Sequence, residues 1–123
     1  MQSCAILIDK LEYFWESGGG SNTTVTSSLA LNHPSGEWVF IAATRDTTNK
    51  QVIFYENAQK LGTTQTYATN PDGGTSGVLY IGRAPDVSLY FDGRIDDARI
   101  YNYVLTPAQI KTVYNDGAVS FQP

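Results

Sequence analysis

Apolar and polar residues alternate with a period of two along much of this chain, the pattern of strands that turn one face to a core. In residues 11–16, Leu11, Tyr13 and Trp15 fall on one side, and Glu12, Phe14 and Glu16 on the other. Residues 4–9 form an apolar strand ahead of it, with Asp9-Lys10 as a tight turn between the two. Residues 22–28 are Thr-rich around Val25 and fit an edge strand. Residues 37–45 are apolar on both sides, as expected of a strand inside a sandwich. A polar hairpin loop at 46–50 leads to a returning strand at 51–56, which sets Val52 and Phe54 against Ile53 and Tyr55. Residues 61–68 and 78–82 read as two further strands, and residues 119–121 as a terminal one. Clusters of Gly, Ser, Asn, Asp and Pro at 17–21, 32–36, 70–77 and 83–88 supply the loops.

The stretch from Phe91 to Asn115 carries the most information. Phe91-Asp92-Gly93-Arg94 is a turn, because Asp-Gly readily takes positive φ. Residues 95–103 then alternate as a strand. Asp96, Ala98, Ile100 and Asn102 form one small, largely apolar face. Ile95, Asp97, Arg99, Tyr101 and Tyr103 form a face that mixes aromatic and charged groups. Thr106-Pro107 predicts a helix start, with Thr as N-cap and Pro at the first helical position. Ala108, Ile110, Val113 and Tyr114 line one side of that short helix. Asn115-Asp116-Gly117 is its expected stop.

These motifs resemble the laminin-G-like domains of the concanavalin A-type lectin and glucanase jelly rolls. The resemblance rests on a glycine turn followed by I-D-D-A-R-I-Y-N and a helix opening L-T-P-A-Q-I. Upstream, Glu37-Trp38-Val39-Phe40-Ile41-Ala42-Ala43-Thr44-Arg45-Asp46 and Val78-Leu79-Tyr80-Ile81-Gly82 match two further strands of the pattern, in the right order. It implies an all-β fold: an antiparallel β-sandwich (jelly roll, concanavalin A-like) with one short C-terminal helix, with residues 1–123 as a single domain. Trp38 takes the place of a core tryptophan. At Asn57-Ala58 an alanine stands where the family turn has glycine. The family pattern also places further strands ahead of the region matching 4–16. The chain is therefore expected to be a fragment, a reduced version, or a domain that receives an edge from another chain. Open edges bordered by apolar residues invite self-association.

Composition narrows the partners. The 123 residues are enough for one core, and no apolar run is long enough to span a bilayer. The net charge of −4, with no basic run, argues against nucleic acid, anionic membrane surfaces and membrane insertion. The opening MQSCAILIDK has neither a basic leader nor a long apolar core, so it does not read as a secretory signal. Cys4 is alone, which gives no disulfide framework, and its apolar neighbours suggest an inert buried thiol. Asn22-Thr23-Thr24 has the form of a glycosylation acceptor, usable only in a glycosylating pathway.

Catalytic chemistry finds little support. Retaining glycan hydrolysis needs two carboxyl groups about 5–5.5 Å apart, which a strand supplies at alternate positions. Glu12 and Glu16 share a face, but Phe14 stands between them, and four strand residues span roughly 13 Å. Asp96 and Asp97 are adjacent and face opposite ways. His33, the lone histidine, lies in a Pro-Ser-Gly turn and reads as solvated surface.

Binding chemistry has more material. Asp96 shares its face with apparent core residues, and the resemblance implies an acid here that helps hold a structural Ca2+. A carboxylate that merely caps a turn fits the residues as well. Sugar contact needs exposed rings beside polar groups, and the chain has eight tyrosines and two tryptophans. Tyr13 and Trp15 are either core or a platform. Arg99 and Tyr101 present a polar-aromatic surface or pack under the helix. Tyr67 and Tyr90 lie near loops. The resulting expectation is a non-catalytic carbohydrate-binding or adhesion module of an extracellular or cell-surface protein, with a glycan or glycoprotein as partner. An assembly module acting through protein contacts is the alternative, and a glycan hydrolase-related domain the third.

Overall fold

The structure is a computed structural model and describes residues 2–7, 10–17, 21–70, 80–83 and 90–119. It places two antiparallel sheets face to face, with a helix on the outer side of the second. The first sheet has the order β1-β2-β3, built from β1 (Gln2–Leu7), β2 (Lys10–Ser17) and β3 (Ser21–Thr26). Cys4 lies opposite Tyr13, and Tyr13 opposite Val25. Lys10 already belongs to β2, and Asp9 of the expected turn lies outside the described residues. In the second sheet β5 (Gln51–Glu56) is central. It pairs with β4 (Ile41–Asp46) on one side, and on the other with β6 (Gln59–Lys60) and then β7 (Gln65–Thr66).

The period-two pattern decides which side chains meet. Leu11, Trp15 and Val25 from the first sheet pack on Val52, Phe54, Leu61 and Tyr67 from the second, with Tyr13, Leu31 and Ala43 at the margin. Trp15, Leu11, Val52 and Phe54 are fully enclosed. At roughly 1.5–3 kcal/mol for each large apolar side chain taken from water, this layer is the main source of cohesion. The opposite face of β5 carries Ile53 and Tyr55. Tyr55 is buried with Ala58, Leu105 and Ile110 beneath α1 (Pro107–Val119), and Ile53 packs on this group with Phe40, Ala42, Val113 and Tyr114. Strand β5 is thus covered on both faces, as its continuous apolar run requires.

Local chemistry closes the ends. The β4–β5 hairpin is fixed by Asp46, whose Oδ1 accepts from Thr48 N–H (2.8 Å) and Asn49 N–H (3.0 Å), while Oδ2 accepts from the Asn49 amide. These bonds, Asn49's foremost, hold its carboxyl below the ordinary carboxylate range. Buried Ser27 is satisfied from both sides: it accepts from Leu11 N–H (3.1 Å) and donates to Leu29 O (2.7 Å). The helix opens on a reciprocal cap. Thr106 Oγ1 accepts from Gln109 N–H (3.3 Å), and Gln109 Oε1 accepts from Thr106 N–H (2.8 Å).

Several expectations are corrected. Asn57 (φ 48°) and Ala58 (φ 62°) both take the left-handed conformation between β5 and β6, so the tight primed turn survives without glycine. Burial of the Ala58 methyl in the second cluster offsets the backbone cost. Trp38 is not core; it is 61% exposed. The turn at Asn57-Ala58 ends β5 opposite Phe40, whose carbonyl oxygen accepts from Asn57 N–H (2.8 Å). Trp38 lies beyond that point, with no partner strand among the described residues, and β4 begins only at Ile41. The strand expected at 61–68 shrinks to Gln65–Thr66, because Gly62 at φ 73° turns the chain. The helix runs on through Gly117 to Val119, and Ala108 faces solvent rather than the core. Residues 80–82 are not in a strand, and 78–79 lie outside the described residues. So do residues 71–77, 84–88, 120–121 and the middle of the 17–21 loop.

The largest correction concerns residues 95–103, which form no ladder and lie at the surface throughout. The face expected to be core is open, with Ile100 77% exposed. Asp97 sits at φ 52°, a left-handed kink that interrupts the extended backbone.

Candidate functional site

The exposed tract from residue 90 to 104 hangs between a small loop pairing and the helix. Arg83 and Tyr90 form an isolated antiparallel bridge, and Phe91 N–H donates to Gly82 O (2.8 Å). The Phe91 ring lies against Gly93, 2.8 Å from where a β-carbon would stand, and neither Asp92 nor Gly93 takes the positive φ expected of this turn. At the other end Leu105 is buried under the helix. Between these anchors the side chains are open to solvent.

Four residues at alternate positions come together there. Arg99 Nε donates to Asp97 Oδ1 (2.7 Å) and Arg99 Nη2 to Asp97 Oδ2 (2.8 Å), a bidentate pair that fixes the plane of the guanidinium. Hydrogen bonding to Asp97, then to Tyr101, holds the guanidinium above its ordinary range, so it stays charged. The Tyr101 and Tyr103 rings meet edge to face with centroids 5.8 Å apart. All four are exposed. The face predicted from alternation is therefore present as a contact chain, Asp97–Arg99–Tyr101–Tyr103, although no ladder supports it. A second exposed grouping sets the Arg83 guanidinium 4.8 Å from the Tyr80 ring centroid and 6.0 Å from that of Tyr90.

The remaining candidates are placed elsewhere. Trp15 is fully buried, and its ring meets Tyr67 edge to face at 4.7 Å and Tyr13 at 5.7 Å. Tyr67 is buried too; its hydroxyl donates to Asn70 Oδ1 (2.8 Å) and reaches Asp46 O (3.2 Å), and burial pushes its pKa up. Neither ring offers a face to a ligand. Tyr13 is half-buried, with the Arg45 guanidinium 5.7 Å from its centroid. Tyr90 is 70% exposed. Tyr103 and Tyr80 join the exposed set, and Trp38 is a further open ring that the core assignment had hidden.

Asp96 is exposed rather than inward, and its Oδ1 accepts from Asp97 N–H (2.8 Å). That is a turn-capping contact. Among the described residues no group of three or more His, Cys, Asp and Glu side chains is arranged to hold a metal ion. Glu12 accepts from Thr26 Oγ1 (3.2 Å), on the outer face of the first sheet. His33 lies in its exposed turn with Nδ1 3.1 Å from Glu56 Oε1, and Glu56 also accepts from Asn32 N–H.

Two antiparallel sheets packed face to face, with a helix capping one outer face, place the chain among the β-sandwiches. The chain belongs to the Laminin_G_3 family of the concanavalin A-like lectin/glucanases superfamily, whose profile matches residues 7–111. Among solved structures it is similar to the crystal structure of an S-layer domain-containing protein, residues 221-444, from Clostridium thermocellum ATCC 27405. The sequence identity is 26% and the TM-score 0.52. The match covers 85% of this chain and 51% of that one, so this chain spans about half the length of that structure. The comparison with curated proteins finds no match. Among the described residues no helix is long and apolar enough to cross a membrane.

Proposed function

We propose that this chain is a non-catalytic contact module of an extracellular or cell-surface protein, and that it takes carbohydrate on the Asp97–Arg99–Tyr101–Tyr103 face. The observation that carries the reading is the exposed Tyr101–Tyr103 ring pair beside a guanidinium already fixed by Asp97. A pyranose presents apolar C–H faces and a rim of hydroxyls. Rings receive the first, and charged or hydroxyl groups hydrogen-bond the second. Because Asp97 holds Arg99 in place, less side-chain freedom is lost when a sugar hydroxyl binds. Glu12 and His33 are engaged in contacts of their own, far apart in the fold by element, and lend no support to bond cleavage.

A glycan array probed with the whole chain tests this, followed by titration of the best ligand. Tyr101→Ala and Arg99→Ala should each weaken binding by about tenfold or more, on the scale of a lost stacking or charged contact. Both side chains are exposed, so thermal stability should change little. Absence of binding to any glycan, or binding unaffected by either change, would remove the reading. The second reading is assembly through protein contacts. It is favoured by Ile95, Ile100 and Val104, which are exposed along the same tract, and by the similarity to a domain of an S-layer domain-containing protein.

A further inference from the structure

We infer that the tract at 95–103 is a pairing strand for a second copy of this chain, the two copies meeting antiparallel about a two-fold axis at Ala98. The sequence alternates as a strand, yet the tract has no ladder partner among the described residues and exposes Ile95, Ile100, Tyr101 and Tyr103. Backbone groups so placed, with apolar side chains beside them, are a template for strand addition.

Symmetry restricts the register. When two identical strands pair antiparallel about a two-fold axis, the axis stands perpendicular to the sheet and passes beside one residue, which then faces its own copy. Directly opposed residues share a face. Centring on Asp97 sets carboxylate against carboxylate, and centring on Arg99 sets guanidinium against guanidinium. Centring on Ile100 sets Arg99 against Tyr101 and Asp97 against Tyr103, so neither charge meets a counter-charge. Centring on Ala98 sets Asp97 of one copy opposite Arg99 of the other, twice, with Ile95 opposite Tyr101 on the same face; the other face has the small Ala98 pair, flanked by Asp96 opposite Ile100. This register exchanges the two intrachain Asp97–Arg99 contacts, one in each copy, for two between copies. It also returns Asp97 from φ 52° to extended backbone, releasing a strained conformation. The pairing draws on the same Asp97, Arg99 and Tyr101 side chains as the carbohydrate reading but is formed without glycan, so a test in the absence of sugar separates the two.

The test is sedimentation equilibrium of the whole chain over a concentration series to high micromolar, at low salt and without sugar. The unmodified chain should dimerise. Asp97→Arg and Arg99→Asp should each weaken the dimer by about tenfold or more, because each places two like-charged pairs across the axis. Mixing the two variants should restore a one-to-one heterodimer to within about threefold of the original affinity, because every opposed pair is again of opposite sign. A purely structural role for either side chain would not produce that rescue. A monomer throughout, or a dimer indifferent to both reversals, overturns the inference.

Discussion

At the scale of single residues, backbone conformation sets the tightest limits. Gly62 takes φ 73° where the chain leaves Leu61, and an added β-carbon there would run into Ser28 Oγ. That oxygen accepts from Thr63 N–H (2.8 Å), so it is tied to the same turn. Gly62→Ala should therefore cost more than the ~1 kcal/mol of a left-handed alanine alone; about 2 kcal/mol is expected, read as a lowered denaturation midpoint with unchanged slope. Ala58 supplies the internal control. It occupies a similar φ of 62°, but its methyl is buried in the second cluster rather than forced against a neighbour. Trp15 shows the same dependence on surroundings. Its place beside Tyr13 and Leu11 fits a binding platform or a core equally well in sequence, because alternation says which residues share a face and not which face is covered. Only the opposing Phe54 and Tyr67 decide that it is core.

At the scale of elements, what was legible in sequence is what local chemistry determines. The hairpin at 46–50 shows in its Asp and Asn, the β5 strand in its two apolar faces, and the helix start in Thr106-Pro107. The helix end was misplaced because Asn-Asp-Gly can close a helix but does not have to. The strand expected at 37–45 begins only at Ile41, and the one expected at 95–103 does not form, for a different reason. A strand needs a neighbour, and propensity cannot supply one; Trp38 lies past the end of β5, and residues 95–103 have no ladder partner among the described residues. The Asp97, Arg99, Tyr101 and Tyr103 grouping was nonetheless readable from alternation, and direct contacts rather than a ladder hold it together. The helix cap tests the local part of this account. Thr106→Ala removes the acceptor for Gln109 N–H and should lower stability by about 1 kcal/mol. Thr106→Ser keeps the oxygen and should recover most of it, measured by thermal unfolding.

At the scale of the whole molecule, the two buried clusters lie on opposite faces of one strand. Val52 and Phe54 serve the layer between the sheets; Ile53 and Tyr55 serve the layer under α1. Neither layer can open without exposing part of β5 to water, which couples them, and the described residues should unfold as one cooperative unit. Two probes report on the two layers separately. In a Trp38→Phe background, where the exposed ring is removed at a cost within about 0.5 kcal/mol, Trp15 becomes the fluorescence reporter of the inter-sheet layer. It is fully buried, and its Nε1 has no hydrogen-bond partner among the described residues, so its emission should lie well to the blue and shift red on unfolding. Helix circular dichroism reports on α1. The two midpoints should coincide. Ile110→Ala, which truncates a side chain only 2% exposed, should cost about 2–4 kcal/mol and move both midpoints together, although Ile110 touches no residue of the first cluster. Loss of the helix signal ahead of the Trp15 transition would instead show that the helical layer is an appendage to an independently stable sandwich.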